Sequence, residues 1–261
     1  MIKKIKYYIF DLDNTLYSSS EDFFPIQMDL ISKFIVMKLG VSYDSACILR
    51  DLYYIEYGTT MNGLVENHNL SAKEFHQYVD NVPLESLVPD YNLNNILINL
   101  PAKKYIFTNG SDFHAKRVMK QLELDTVGFD GIVTIDSTSQ IPKPDVRAYN
   151  YLFNKYDVNP EESIFFEDSL HNLITAGKLG MSTVLIEAEE ASYDKFKVYN
   201  EIQYFAKSVV DFFEGRYENK SLHNKNKIYS VWLFSVTVCR VCFCYTDNRN
   251  RYCKCIGNKK L

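Results

Sequence analysis

Apolar positions follow two rhythms along the chain. Ile5 to Phe10 is a short, nearly unbroken apolar run, which predicts a buried strand. From 21 to 39 the spacing changes. Phe24, Met28, Ile31, Ile35 and Leu39 recur at helical intervals, and Gly40 follows as a stop. Ser42 opens a second helical stretch that runs to Tyr57 and ends at Gly58, and shorter helical pieces are predicted at 60–68 and 71–80. Pro83 and Pro89 then punctuate the chain, and the rhythm becomes an alternation. A helix over Asn92–Leu100 precedes a strand over Lys104–Thr108. A helix capped by Ser111 runs to Leu122, and a strand follows over Gly131–Ile135. A helix over Asp145–Tyr156 precedes a strand over Ser163–Phe166, and a helix over Leu170–Leu179, stopped by Gly180, precedes a strand over Thr183–Ile186.

Strands alternating with helices predict an α/β fold: a Rossmann-like parallel sheet with helices on both faces, carrying an inserted all-helical cap. The expected division is a core of 1–17 and 90–215, a cap of 18–89 and an extension of 216–261. Ligands of such sheets bind outside the carboxyl ends of the strands, and Asp11, Thr108 and Asp168 all fall at those ends.

Charge and cysteine refine the division. The net charge of the chain is −4, which predicts no nucleic-acid partner. That figure hides an asymmetry, because residues 216–261 carry +8 and residues 1–215 carry −12. Cys47 is the only cysteine before residue 216, whereas Cys239, Cys242, Cys244, Cys253 and Cys255 crowd the end. A body with one thiol predicts a reducing, cytoplasmic setting. The basic start is cut short by Asp11, too early for a signal peptide, and no run of 18 charge-free apolar residues predicts a spanning helix.

Four separated pieces carry candidate chemistry. Asp11-Leu12-Asp13 follows the first strand, and side chains two apart on a strand point the same way. Paired carboxylates repel unless a cation such as Mg2+ sits between them, and one can serve as nucleophile while the other moves protons. Thr108-Asn109 places a hydroxyl and an amide at the next strand end. Lys143 stands between Pro142 and Pro144, which stiffen it. Glu167-Asp168 ends a third strand, with Asn172 four residues beyond Asp168. Together these supply what displacement at phosphorus requires.

In this order and spacing the pieces resemble the haloacid dehalogenase-like superfamily over about residues 5–213, and the helical stretch resembles the cap of its subfamily I. Tyr57-Gly58-Thr59-Thr60-Met61-Asn62-Gly63-Leu64, Ile106-Phe107-Thr108-Asn109-Gly110, His114-Ala115-Lys116-Arg117-Val118, Phe166-Glu167-Asp168-Ser169 and Leu179-Gly180-Met181-Ser182-Thr183-Val184 are similar to its pyrimidine 5′-nucleotidase branch. The resemblance implies Mg2+-dependent dephosphorylation of nucleoside monophosphates, chiefly UMP and CMP. It implies Asp11 as nucleophile, Asp13 as acid and base, Lys143 as fixed cation, and Thr108 and Asn109 as phosphoryl donors. The implied metal site is formed by Asp11, the Asp13 backbone carbonyl and Asp168. Dehalogenases of the family lack an acid at the position of Asp13, which disfavours that activity.

Other positions stay open. Glu167 either assists the metal or accepts backbone hydrogen bonds, and Asn172 either orients Lys143 or Asp168 or simply sits on a helix. Tyr57, Thr59, Thr60 and Asn62 either contact substrate or form a helix-end turn. His114 and His171 are expected on exposed helix surface, and His68 and His76 are expected to face solvent. The tail is expected to be an extension outside the reaction. Zinc binding by its cysteines and contact with a membrane are weaker readings. A broader phosphatase of small metabolites, such as phosphoglycolate or sugar phosphates, is the alternative activity. A non-catalytic anchoring protein that uses the tail is the alternative of another class.

Overall fold

Tyr7–Phe10 forms β1, the centre of the sheet, and pairs in parallel with β2 (Lys103–Phe107) on one side and β4 (Ser163–Glu167) on the other. The structure is a computed structural model. It describes residues 5–18, 23–186 and 193–220, together with strands at 243–247 and 250–254. The remaining sheet strands are β3 (Gly131–Val133), β5 (Ser182–Ile186), β6 (Tyr204–Ala206) and β7 (Glu218–Asn219), in the order β3-β2-β1-β4-β5-β6-β7. All neighbouring pairs are parallel except β6 with β7. The predicted α/β class is therefore observed.

The alternation of side chains along β1 explains the layers. Ile9 and Phe10 point to opposite faces and both are fully buried. On Phe10's side, Ile106, Phe166 and Val184 pack with Leu97 of α5 (Tyr91–Ile98), Val118 of α6 (Asp112–Gln121) and Val209 of α10 (Val209–Phe213). On Ile9's side, Tyr105, Phe165 and Leu185 pack with Leu152 of α7 (Val146–Tyr156) and Leu173 of α8 (Leu170–Lys178). Each such side chain contributes about 1.5–3 kcal/mol by leaving water. A short α9 (Tyr193–Phe196) precedes β6.

The insertion has a core of its own. α1 (Phe23–Leu39), α2 (Tyr43–Tyr57), α3 (Thr60–His68) and α4 (Ala72–Val79) bury Phe34, Ile35, Tyr53, Leu64 and Phe75 together. Ser42, Thr59 and Ser71 cap α2, α3 and α4 by accepting backbone N–H groups three residues on. Gly58 ends α2 in the left-handed region at φ 76°. At Gly63 the helices meet closely, and a Cβ there would lie 2.3 Å from the Tyr53 ring.

The chain separates into two compact units, 1–224 and 225–261. β6, α10 and β7 lie past the last predicted strand, and β7 carries the sheet beyond residue 215 into the polar stretch. In the second unit β8 (Phe243–Asp247) pairs antiparallel with β9 (Asn250–Lys254). The zinc and membrane expectations rest largely on Cys239, Cys242, Cys255 and the apolar run 228–242, which lie outside the described residues. Among the described residues no helix is long and apolar enough to cross a membrane.

Candidate active site

Three adjacent strand ends build the floor of the site. Asp11 follows β1, Phe107 and Thr108 end β2, and Glu167 and Asp168 end β4. The Lys143 side chain crosses all three. Its Nζ donates to Asp11 Oδ1, to the Phe107 carbonyl and to Glu167 Oε2, each at 2.7 Å. The ammonium also stands 5.1 Å from the centre of the Phe107 ring and 5.2 Å from that of Phe165. Lys143 is 2% exposed. Burial opposes its charge, but Asp11 and Glu167 outweigh burial and hold its pKa above the ordinary lysine value.

The Lys143 backbone is held equally firmly. The Asn109 side-chain amide donates to the Lys143 carbonyl at 2.9 Å, and its oxygen accepts the Lys143 N–H at 2.8 Å. The side chain of Asn109 is thus committed to the lysine loop, because an amide with its donor and acceptor on one edge matches a backbone peptide. Glu167 accepts from Lys143, from Asn172 Nδ2 at 3.0 Å and from the Ser169 N–H at 3.1 Å. Asn172 is more than a helix residue, yet it bonds neither Lys143 nor Asp168 directly: it donates to Glu167, which accepts from Lys143.

Asp11, Glu167 and Asp168 can bring one oxygen each within 4.8 Å of one another. Burial, then Glu167, push Asp11 above the ordinary carboxylate range, and Lys143 only partly offsets them. Crowding by protein, then Glu167 and Asp11, push Asp168 up as well, although it opens to solvent. Three carboxylates face one ammonium, so the cluster is short of positive charge. A hard divalent cation fits that all-oxygen set.

Asp13 has a separate environment. Its Oδ1 accepts from Tyr17 Oη at 2.6 Å and from His114 Nε2 at 2.7 Å, and Thr108 Oγ1 lies 3.4 Å from its Oδ2. Burial raises its pKa, but His114, Tyr17 and Lys143 outweigh burial and keep it below the ordinary value. His114 overturns the expectation of an exposed helix residue, for it is 2% exposed. Burial opposes its charge, yet Asp13 and Asp80 raise its pKa. Two signals for these contacts were present in the chain: Tyr17 lies four residues past Asp13, and His114 lies in the first turn after a strand end.

The insertion meets the floor at the lysine loop. Asn62 Nδ2 donates to the Gln140 carbonyl at 3.1 Å, and Gly58 packs so closely on Pro142 that a Cβ would lie 3.0 Å from its Cγ. Thr59 caps α3 and Thr60 donates to the Arg50 carbonyl, so both serve the insertion itself. Tyr54, one turn before Gly58, was not singled out from sequence. Its ring is exposed, and crowding by surrounding protein, then Asp168 and Glu167, raise its pKa. His171 and His68 are exposed as expected, with His68 Nε2 2.7 Å from Tyr53 Oη, and His76 is half-buried.

The family model described as haloacid dehalogenase-like hydrolase matches residues 8–186, which include every strand end just described. The chain belongs to that family. Phosphate metabolism protein 8 of Saccharomyces cerevisiae is 30% identical over 205 residues, which cover 72% of this chain. The chain spans 64% of that relative's length, just under two thirds. In fold the chain is similar to a HAD phosphatase from Thermococcus onnurineus (TM-score 0.56, 20% identity, covering 80% of this chain and 97% of that one). It is equally similar to a dehalogenase (TM-score 0.55, 20% identity, 84% and 100%). The haloacid dehalogenase-like fold is therefore shared by neighbours of both activities, and the reaction must be argued from the side chains.

Proposed function

We propose that this hydrolase is a Mg2+-dependent phosphatase that works through an aspartyl-phosphate on Asp11, and that its substrates are pyrimidine nucleoside monophosphates, UMP and CMP. The observation that carries the reading is Asp13. Halide leaves a carbon centre as a stable anion and needs no proton, whereas the alkoxide leaving a phosphate ester does. A second carboxylate beside the nucleophile, bonded through one oxygen to His114 and Tyr17, supplies that proton. The name of the yeast relative points the same way, towards phosphate metabolism.

In this mechanism Asp11 attacks phosphorus while the ester P–O bond breaks. Asp13, which must enter the step protonated, gives that proton to the departing oxygen and regains one from the water that hydrolyses the aspartyl-phosphate. Lys143 favours the ionised form of Asp11, against burial and Glu167, and offsets phosphoryl charge. The Thr108 hydroxyl and the Asn109 backbone N–H donate to phosphoryl oxygens, the Asn109 side chain being committed to the lysine loop. Asp11, the Asp13 carbonyl and Asp168 would hold Mg2+, which would supply the positive charge that the carboxylate cluster lacks. Tyr54 offers an exposed ring at the cap side of the site on which a base can lie. The chemistry of the body, with its single thiol, suits a cytoplasmic location.

A second reading has one observation in its favour. A cleft of about 550 Å³ touches Asp168, with Leu16, Leu87, Leu93 and Val209 on its apolar part and Asn14, Asp90 and Lys207 among its polar lining. That apolar part suits an ester with an apolar alcohol. The deciding experiment assays wild type and Asp11→Asn with Mg2+ on UMP, CMP, sugar phosphates and a prenyl phosphate. UMP or CMP should rank first, and Asp11→Asn should lose at least about a thousandfold in kcat. Faster turnover of non-nucleotides would overturn the substrate claim. Retained activity in Asp11→Asn would overturn the mechanism.

A further inference from the structure

The two oxygens of Asp13 have unequal surroundings. Oδ1 accepts two short hydrogen bonds, from Tyr17 Oη at 2.6 Å and His114 Nε2 at 2.7 Å. Among the described residues, the hydrogen-bond partner of Oδ2 is Thr108 Oγ1, at 3.4 Å, a long and weak contact. The Thr108 hydroxyl oxygen in turn accepts the Gly110 N–H at 2.9 Å, which fixes it facing the same side. A carboxylate held through one oxygen cannot rotate freely, so the other oxygen is aimed.

His114 is itself held from outside the site. Its backbone N–H donates to Ser111 Oγ at 3.0 Å, and Ser111 Oγ donates to Asp80 Oδ2 at 2.5 Å. Asp80 is the residue that ends α4, the last helix of the insertion. Arg117, one turn beyond His114 on α6, donates to the backbone carbonyls of Asp80 and Val82. Ser111, His114 and Asp80 are all buried. A buried polar chain therefore runs from the exit of the insertion, through the first turn of α6, to the carboxylate of Asp13.

We propose that His114 is a positioning residue for proton transfer: with Tyr17 it pins Oδ1 of Asp13 so that Oδ2 gives the proton to the leaving oxygen and takes one back from the attacking water, and the Ser111–Asp80 contact ties that aim to the seating of the cap. This rests on the phosphatase reading and deepens it, since it says which oxygen acts and what holds it. A pinned carboxylate acts in the reacting geometry, not in binding. Its loss falls on kcat and leaves KM nearly unchanged. The loss depends on the leaving group, because a poor alkoxide needs the proton and a nitrophenolate does not.

The test uses the full chain with Mg2+ and compares wild type, His114→Gln, His114→Ala and Tyr17→Phe. Formation of the phosphoryl-enzyme is followed by rapid quench with UMP and with p-nitrophenyl phosphate. His114→Ala should slow phosphoryl-enzyme formation from UMP about a hundredfold, with KM within about twofold, and slow it less than about fivefold from p-nitrophenyl phosphate. His114→Gln keeps an N–H donor and should recover about tenfold of the loss. Tyr17→Phe should show the same substrate contrast at smaller size. Equal losses on both substrates, or full activity in folded His114→Ala and His114→Gln, would overturn the proposal while leaving the phosphatase reading intact. If His114→Ala fails to fold, His114→Gln and Tyr17→Phe decide by the same contrast. A wild type inactive on both substrates would instead remove the phosphatase reading and this proposal with it.

Discussion

The floor of the site and the helical insertion beside it use polar groups in opposite ways. On the floor, the buried Asp11, Lys143, Glu167 and Asn172 and the half-buried Asn109 bind one another over distances of 2.7–3.0 Å. In the insertion the polar side chains near the site mostly serve local backbone: Thr59 caps a helix and Thr60 holds a carbonyl. The insertion also carries the exposed Tyr54, whose phenol pKa is raised by crowding and then by Asp168 and Glu167. The difference teaches where rigidity is needed. Charge must be placed accurately for chemistry, whereas selection of a leaving group tolerates a looser, apolar wall.

The sharpest way to break this comparison is to remove the cation. Lys143→Met should lower kcat by at least about a thousandfold and cost about 3–5 kcal/mol of stability, because two buried carboxylates lose their partner. The stability deficit should shrink as the pH falls below about 8, where Asp11 takes up a proton. Thermal unfolding of the variant across pH measures both, and a deficit below about 1 kcal/mol would mean the cluster is not buried as described.

The next effect is on the pH dependence of stability without divalent ion. Asp11 and Asp168 are raised above their unfolded values, so above about pH 4 the folded chain holds protons that the unfolded chain has released. Stability should then fall as pH rises, by about 1.4 kcal/mol per pH unit for each excess proton, until the folded groups ionise. Mg2+ should flatten that slope and release protons when added at neutral pH. Calorimetry in two buffers of different ionisation enthalpy would detect the release, and a slope of the opposite sign would refute the shifts.

Gly63→Ala tests the insertion alone. The added Cβ meets the base of the Tyr53 ring, which cannot swing away, so the variant should lose about 1–3 kcal/mol. The strand-end geometry should be untouched, so residual kcat should stay near wild type at temperatures where the variant is folded. Smallest is Tyr54→Ala, expected to raise KM for UMP about tenfold, roughly 1.4 kcal/mol, with kcat little changed and p-nitrophenyl phosphate less affected. An equal fall in kcat would move Tyr54 from the wall into the chemistry.

The sequence made the floor readable because its information is local. A short apolar run followed by Asp11-Leu12-Asp13, Thr108-Asn109 or Glu167-Asp168 announces a strand end and the groups it carries. The Lys143 loop needed only its prolines. Partnerships were not readable in the same way. Asn109 is the same residue whether its amide faces a ligand or the Lys143 backbone. His114 looked like a helix-surface residue because its burial depends on Asp13, 101 residues away. Tyr54 sits among exposed residues of α2, and the neighbourhood that matters to it is built by other elements. β6 and β7 are three and two residues long, too short for any alternation to register.

The Lys143 ammonium touches groups from β1, β2 and β4, three neighbouring strands in the middle of the sheet. It therefore acts as a cross-strand staple as well as a counter-ion. Sliding any of the three past its neighbours would strand a charge in a dry interior. Under the proposed reaction, one side chain would secure both the electrostatics and the strand register, so loosening the centre would mean loosening the fold.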